Sequence, residues 1–317
     1  YFQQFCEMRR IDNLNNLDGR IVNEYRRWRK TESVDQSEPL ATKTMRDEMY
    51  LFQDFVNFLE NIEAVPHGLK GKIDIPTLRD GEGVRNIEFD ADRLETILKH
   101  LGKYEYASRE HVVWVFHSHT GRRPGAIHSL DVEDLYLDCE EPYLELHHRP
   151  EETSLKNGEK GEDEIGLSEK VAQIFNDYLQ DNRIEVTTAA GRRPFLTSKH
   201  GRLSKSTMRR YIYKWSRPCV IGVECPHDCN VETCEAAASA DCASKCPSSR
   251  PPYALRHGYI TQMLRDGAPK PFLSDRCDVS EEIIDETYDE RGSSEKRELR
   301  QELLDELRGD SSGGGYL

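Results

Sequence analysis

Three short stretches of this chain contain the residue types that phosphodiester chemistry requires. They are Thr120-Gly121-Arg122-Arg123, Tyr253-Ala254-Leu255-Arg256-His257 and the region around Tyr288, with Lys156 between the first two. Tyrosine can attack phosphorus and form a phosphotyrosine link that conserves bond energy for rejoining. Arginine binds phosphate through a planar fork that stays charged, and a desolvated lysine can give a proton to the leaving oxygen. These residues predict chemistry at a phosphodiester without a metal ion.

Their order and separation resemble the tyrosine recombinase (phage integrase) family, in an archaeal-type variant. The resemblance implies a site-specific recombinase that cuts and rejoins DNA through a 3′-phosphotyrosine intermediate and needs no cofactor for catalysis. By this resemblance Arg123 and Arg256 hold the scissile phosphate, and Tyr288 is the nucleophile. Lys156 is the expected proton donor to the 5′-oxygen, with Lys160 as the second choice.

Three positions depart from the family pattern. Tyr253 stands where a histidine base is usual, Arg276 lies near the position of a later histidine or tryptophan, and Ala126 replaces an acidic residue. A tyrosine hydroxyl can donate to phosphate but is a poor base near neutral pH. We therefore expect Tyr253 and Arg276 to add hydrogen-bond donors to the phosphate. Arg122 and His257, which flank the two main arginines, are expected to contact DNA.

The net charge of -14 is unusual for a protein that binds DNA. A salt-adapted protein and an ordinary acidic cytosolic protein both fit this composition. In about 1 M salt the Debye length is only about 3 Å, so a distant acidic surface no longer repels DNA. The local charge of the DNA-facing surface then decides binding, and the total charge does not exclude it.

Residues 1–68 are predicted to form a helical, SAM-like core-binding domain. From Thr44 to Ile62, apolar residues recur every three or four positions, which places them on one helix face. Arg26, Arg27 and Lys30 form a basic edge where we expect DNA phosphate contacts. The stretch from Val65 to Ile87 is rich in Pro and Gly, and residues 69–88 are predicted to be a linker.

Residues 89–300 are predicted to be the catalytic domain, and residues 301–317 a flexible tail. Helical periods dominate this domain, but residues 143–147 alternate like a strand, with a return strand at 165–167. Asn157-Gly158 between them is typical of a tight turn. The expected fold is therefore mainly α with a small antiparallel sheet.

A cysteine-rich insertion at residues 218–250 interrupts this domain. Its candidate metal ligands are Cys219, Cys225, His227, Cys229, Cys234, Cys242 and Cys246. Thiolates and imidazole are the ligands that zinc prefers, although these spacings are not the usual Cys-x2-Cys. Disulfides and free thiols are the alternatives. We expect a structural zinc ion rather than a catalytic one.

The resemblance implies duplex DNA as the partner, a homo-oligomer of up to four chains on DNA, and a place in a mobile genetic element. A cytoplasmic location is expected. The chain has no run of roughly 18 or more apolar residues, so no membrane span is expected. Two alternatives stay open: a DNA-binding regulator on the same fold with impaired catalysis, and a zinc-dependent interaction module.

Overall fold

The structure is a computed structural model that describes residues 1–33, 38–79 and 89–309. The chain divides into two compact units, unit 1 (Tyr1–Asn86) and unit 2 (Ile87–Leu317). Among the described residues, no helix combines the length and the apolar character needed to cross a membrane.

Unit 1 is built from three helices: α1 (Phe2–Arg9), α2 (Gly19–Thr31) and α3 (Thr42–Asn61). The Asp18 side chain caps α2, because its carboxylate accepts from the N–H groups of Arg20 and Ile21 at 2.8 and 2.9 Å. The helices bury an aromatic core that includes Phe5, Tyr25 and Trp28. Burial of these large side chains supplies the main stabilising free energy of the unit.

The predicted face of α3 is buried at Met49, Phe52 and Val56, but Ile62 is 55% exposed because the helix ends at Asn61. Leu69 and Ile73 are also buried in this core. The first part of the predicted linker therefore packs within unit 1, because two apolar side chains anchor it. Residues 80–88 of that linker lie outside the described residues.

Unit 2 is mainly helical. Its helices are α4 (Ala91–Tyr104), α5 (Arg109–Thr120), α6 (Pro124–Ser129), α7 (Glu169–Asp177), α8 (Lys205–Trp215), α9 (Pro252–Arg265), α10 (Lys270–Cys277), α11 (Glu281–Ile283) and α12 (Ser293–Gly309). α5 is the central helix, since it contacts α4, α7, α8 and α9. Its buried residues Trp114 and Phe116 lie in the largest core of the protein.

A small antiparallel sheet lies in unit 2, in the order β1-β2-β3. Its strands are β1 (Leu135–Tyr136), β2 (Tyr143–Leu146) and β3 (Asp163–Gly166), and a separate hairpin joins β4 (Thr197–Ser198) to β5 (Gly201–Arg202). Leu144 of β2 pairs with Ile165 of β3, and both are buried. The predicted fold class, mainly α with a small antiparallel sheet, is confirmed.

The last helical region of unit 2 is interrupted. α11 continues as a π-helical turn, Ile284–Tyr288, and the chain then leaves the helix before α12 begins at Ser293. α12 covers residues 301–309 of the segment predicted to be a flexible tail, and residues 310–317 lie outside the described residues. The π-helical turn presents Tyr288 to the core, a placement that regular helix periodicity does not predict.

Candidate active site

α5 ends in a turn that requires glycine. Gly121 has a φ of 62°, in the left-handed region, and its N–H donates to the His117 carbonyl at 3.1 Å. A Cβ atom at this position would lie 2.3 Å from the ring of Tyr259, far inside van der Waals contact. The chain then passes to Arg123, which precedes α6, and Pro124 is the first residue of that helix. The turn at Gly121 therefore fixes the position at which Arg123 emerges from the buried end of α5.

The Arg256 side chain joins three parts of unit 2 at Tyr288. Its Nε lies 3.3 Å from the Tyr288 hydroxyl, and its Nη1 donates to the carbonyls of Gly121 at 3.0 Å and Cys277 at 2.6 Å. Arg256 and Tyr288 are only 4% and 3% exposed. The Nη2 atom of Arg256 is buried without a hydrogen-bond partner among the described residues. A buried, charged N–H group without a hydrogen-bond partner is suited to donate to a phosphate oxygen.

α9 also holds the π-helical turn that carries Tyr288. The Nε2 of His257 lies 3.1 Å from the Thr287 carbonyl, so this nitrogen donates. The Thr261 hydroxyl donates to the Tyr288 carbonyl at 3.2 Å. His257 is itself buried, so it positions the tyrosine backbone. The sequence predicts that His257 contacts DNA, and the structure gives it this positioning role instead.

Arg123 lies beside Arg256 and is bound by an acidic residue. Its Nη1 donates to both the carbonyl and the Oδ2 of Asp278, each at 2.7 Å. Asp278 has a φ of 52° at the end of α10, and its Oδ1 accepts from Asn157 Nδ2 at 2.6 Å. Partial burial, and then the positive charge of Arg256, lower the pKa of Arg123. Two guanidinium groups therefore lie close together, and only one carries a carboxylate partner.

Tyr253 lies next to Tyr288, one turn before Arg256 on α9. The ring centroids of the two tyrosines are 6.2 Å apart, and Tyr253 is 41% exposed. Partial burial, and then a hydrogen bond with Tyr288, raise the pKa of Tyr253. Tyr253 therefore stays neutral near pH 7, and its partly exposed ring lies beside that of Tyr288.

Lys156 is exposed in the loop between β2 and β3, as the sequence predicts. It lines a cavity of about 270 Å3 together with Arg123, Asp278 and Lys205. The second choice, Lys160, lines a neighbouring cavity of about 410 Å3 that also includes Asp278. Of the two candidate lysines, Lys156 is therefore the one that shares a cavity with Arg123.

Arg122 is a buried structural residue, only 3% exposed. Its Nη2 pairs with the Asp163 carboxylate at the start of β3, and its Nε donates to the Arg276 carbonyl at 2.6 Å. Burial lowers the pKa of Arg122, and Asp163 offsets this effect. Arg122 thus joins the sheet to α10. The sequence predicts a DNA contact for Arg122, and the structure gives it this structural role instead.

Arg276 faces away from the tyrosine. Its Nε donates to the Tyr259 hydroxyl at 2.8 Å, and its Nη2 donates to the His119 carbonyl at 3.1 Å. No hydrogen bond to Arg256 or Tyr288 is present among the described residues. The structure therefore brings together Arg123, Arg256, Tyr253 and Tyr288, with Lys156 at the adjoining cavity, and leaves Arg276 outside this group.

Solved structures of recombinases and integrases are similar to this chain. The Tn1549 transposon integrase in complex with a circular intermediate DNA matches with a TM-score of 0.61 and 12% identity, over 95% of this chain and 92% of that one. The XerH site-specific recombinase in a post-cleavage complex with palindromic difH substrate matches with a TM-score of 0.61 and 11% identity, over 95% and 76%. A lambda integrase dimer bound to a COC' core site matches with a TM-score of 0.57 and 14% identity, over 92% and 88%.

This chain has the fold of those recombinases and integrases. No protein-family model matches it, and no curated protein matches it in sequence. At identities of 11 to 14%, the likeness concerns the recombinase fold. The roles of individual side chains rest on the geometry described above.

The basic edge predicted in unit 1 lies on α2. Arg26 pairs with Asp74 at 2.5 Å, whereas Arg27 and Lys30 are exposed. An exposed arginine and lysine on one helix are suited to phosphate contacts, and their predicted DNA contact stays a prediction.

Sequence reasoning missed Asp278 as the partner of Arg123, Asn157 as a donor to Asp278, and Lys205 in the cavity with Arg123. Each belongs to a different element, and no local pattern links an aspartate after α10 to an arginine before α6. It also missed His117, which is buried with its Nδ1 3.2 Å from the Arg122 carbonyl. Burial lowers the pKa of His117 to about 4. The only sequence signal for His117 is its position on the strongly apolar α5.

The cysteines of the insertion are free thiols. His227 has its Nε2 2.8 Å from the Ser248 hydroxyl. In the part of the chain that the structure describes, no three His, Cys, Asp or Glu side chains converge tightly enough to hold a metal ion. Zinc binding therefore stays a prediction.

Proposed function

We propose that this protein is a site-specific DNA recombinase that cleaves and rejoins duplex DNA through a 3′-phosphotyrosine. The observation that carries the proposal is the contact of Arg256 with the Tyr288 hydroxyl, next to a buried Arg256 donor that has no partner among the described residues. The recombinases and integrases with the same fold are bound to DNA in their structures, which supports DNA as the substrate.

In the proposed cleavage step, the Tyr288 oxygen attacks the scissile phosphorus, and the bond from phosphorus to the 5′-oxygen breaks. The unused Nη2 of Arg256 donates to one non-bridging oxygen, and Arg123 donates to another after it leaves Asp278. Lys156 gives a proton to the leaving 5′-oxygen. The Tyr288 proton passes to the Tyr253 oxygen, while Tyr253 gives its own proton to water. Water is therefore the final proton acceptor, and Tyr253 is neutral before and after the step.

Rejoining reverses these steps with the 5′-hydroxyl of another strand as the nucleophile. The phosphotyrosine keeps the bond energy, so no nucleotide cofactor is needed. Exchange between two DNA sites requires several active chains, and we propose a homo-oligomer of up to four. The lambda integrase with this fold is a dimer on its core site, which supports an oligomer on DNA.

A DNA-binding regulator with impaired catalysis is the second candidate. The observation that favours it is the pairing of Arg123 with Asp278, which takes one phosphate donor out of use in the DNA-free protein. The two candidates share DNA binding and differ in covalent chemistry.

The test is covalent capture on nicked DNA. The protein is incubated, in high salt, with a pool of random-sequence duplexes that carry a nick, so that a cleaved fragment diffuses away and traps the adduct. Denaturing gels detect the adduct, and mass spectrometry of the nucleotide-bearing peptide identifies its residue. We expect the adduct on Tyr288 and its loss in Tyr288→Phe, with DNA binding retained.

Tyr104→Phe is the matched control, because Tyr104 is exposed at the end of α4. It should form the adduct at the wild-type rate. An adduct that persists in Tyr288→Phe assigns the nucleophile elsewhere. DNA binding by the wild type without any adduct supports the regulator instead.

A further inference from the structure

The insertion, residues 218–250, has almost no hydrophobic core. All of its residues are described, and the only ones that are buried are Ala236, Ala243 and Ser249. Val223 and Val231 are 47% and 49% exposed, whereas Val220 and Ile221 pack against the core of unit 2 rather than inside the insertion. Two buried alanines supply too little apolar burial to offset the entropy of ordering a segment of this length.

The insertion also lacks long secondary structure. It contains three short 3-10 turns, at Pro218–Ile221, Glu235–Ala237 and Ala243–Lys245. Hydrogen bonds attach it to unit 2 at its edges: Arg93 Nη2 donates to the Ser248 carbonyl at 2.7 Å, and Arg217 Nη1 donates to the Ala236 carbonyl. These contacts hold the insertion in place, but they do not fill its interior. Small segments of this kind are usually held by a metal ion or by disulfides.

The insertion encloses a cavity of about 370 Å3, and most of its cysteine thiols line that cavity. The lining cysteines are Cys219, Cys225, Cys229, Cys234 and Cys246. Cys242 does not line the cavity, whereas the Cys229 thiol lies within interaction distance of those of Cys225 and Cys234. The wall therefore offers five thiols, and a closed tetrahedral site requires four.

Imidazole is not needed to complete such a site. His227 lines the same cavity, but its Nε2 is engaged by the Ser248 hydroxyl at 2.8 Å. Zinc accepts four thiolates in structural sites, and its binding replaces the missing core with four bonds between distant parts of the loop. A filled tetrahedron leaves no open position, so the ion has no catalytic role.

We propose that one structural zinc ion holds residues 218–250 in shape, bound by four of the five thiolates that line the cavity, with Cys225, Cys229 and Cys234 among them. Each thiol loses its proton to solvent when it binds, so zinc affinity falls as the pH is lowered. The thiols line the cavity without converging on one point, so zinc draws them inward. The turn Ala243–Lys245 contacts α8, and the site therefore secures the insertion against that helix. This inference does not depend on the proposed recombinase activity.

The experiment measures zinc in the purified full-length protein by mass spectrometry of the metal, after dialysis under reducing conditions. We expect about one zinc ion per chain, reduced at least tenfold in Cys225→Ser and Cys234→Ser. Cys242→Ser is the matched control, because it removes a thiol of the same insertion that does not line the cavity; it should keep the ion. Replacement of zinc by Co2+ should give the thiolate-to-metal absorption of a tetrahedral site.

A second measurement uses only wild-type protein, so it does not depend on whether the cysteine variants fold. Wild-type protein is treated with a zinc chelator and then with a protease at low concentration. We expect new cleavage within residues 218–250, reversed by added zinc chloride and not by magnesium chloride. Three results overturn the proposal: wild-type protein without zinc, equal zinc loss in Cys242→Ser, or alkylation before reduction that shows disulfides among the cysteines that line the cavity.

Discussion

The Asp278 carboxylate binds the Arg123 guanidinium, with Oδ2 and Nη1 2.7 Å apart. The pair is partly exposed, 28% for Arg123 and 17% for Asp278. A phosphodiester carries the same charge as this carboxylate and binds the same guanidinium face. If Arg123 holds the scissile phosphate, DNA must therefore displace Asp278, so the DNA-free site is closed by a side chain of the protein itself.

Asp278→Asn should strengthen DNA binding and speed adduct formation. The amide keeps the shape and tolerates the left-handed backbone at φ 52°, but it loses the charge that competes with phosphate. We expect about fivefold tighter binding, equivalent to about 1 kcal/mol. The measurement is a salt titration of DNA affinity with the rate of adduct capture.

Asp275→Asn is the control, because Asp275 lies on the same helix and meets Arg122 through its carbonyl oxygen rather than its carboxylate. It removes the same charge without freeing Arg123. Equal gains in both variants would trace the effect to net charge, and no gain in Asp278→Asn would remove Asp278 from the site.

Arg256→Lys should cost both activity and stability. Lysine cannot reach Tyr288, Gly121 and Cys277 at once, because it lacks the planar fork of arginine. We expect the adduct rate to fall by about 100-fold or more. The free energy of unfolding should fall by about 1–3 kcal/mol, since a buried carbonyl loses its donor. Adduct capture and urea unfolding measure the two effects.

Arg265→Lys controls for the same substitution on the same helix. Arg265 is largely exposed at the end of α9 and meets Glu290 only at 3.9 Å. Its replacement should leave the adduct rate and the free energy of unfolding unchanged. A full adduct rate in Arg256→Lys would show that the fork of Arg256 does not act on the phosphate.

The sequence predicts much of the fold because apolar periodicity determines which elements form. The helical period from Thr44 to Ile62 is present as α3, and the alternation at 143–147 forms β2. The two-residue strand β1 escapes prediction because two residues cannot show an alternation. The interruption before α12 escapes as well, since the charged residues there fit a continuous helix.

The site is less predictable because it depends on distant contacts. Arg256 and Tyr288 can be read from residue type and order, but their contact is made through a π-helical turn. Arg122 and Arg123 look equivalent as neighbours in sequence. The burial of Arg122 against Asp163 separates their roles, and only the packing of β3 and α10 reveals that difference.

Gly121→Ala should destabilise unit 2 strongly. Its φ of 62° is unfavourable for alanine, and the new methyl group would lie 2.3 Å from the Tyr259 ring. We expect a loss of about 3 kcal/mol or more in the free energy of unfolding. Gly191→Ala is the matched control: its φ is 78°, but a Cβ there meets nothing within 4 Å. It should cost only about 1 kcal/mol, from backbone strain. Equal losses in the two variants would show that the contact with Tyr259 is unimportant.

Stability should fall as the pH is lowered from 7 to 5, in part through His117. Burial lowers its native pKa to about 4, below its ordinary value of 6.5, so protons bind the unfolded chain first in this range. The unfolded state is therefore favoured as the pH falls through 6.5, and the effect is complete only below 4. For His117 alone, the expected loss at pH 5 is about 2 kcal/mol. His111 and His128, with pKa values also lowered to about 4 by burial, add to it.

His117→Asn removes the titrating ring and keeps a donor for the Arg122 carbonyl, which lies 3.2 Å from Nδ1 in the native protein. Urea unfolding at pH 7 and pH 5, at equal salt, measures how much the free energy of unfolding falls between the two pH values. This fall should be smaller in the variant than in the wild type by about 2 kcal/mol. His200→Asn is the control, because His200 is exposed, and it should leave the pH dependence unchanged. If His117→Asn loses as much unfolding free energy between pH 7 and pH 5 as the wild type, the His117 ring is protonated in the native protein. A charged imidazolium would then have to lie in the buried site beside the turn before Arg123.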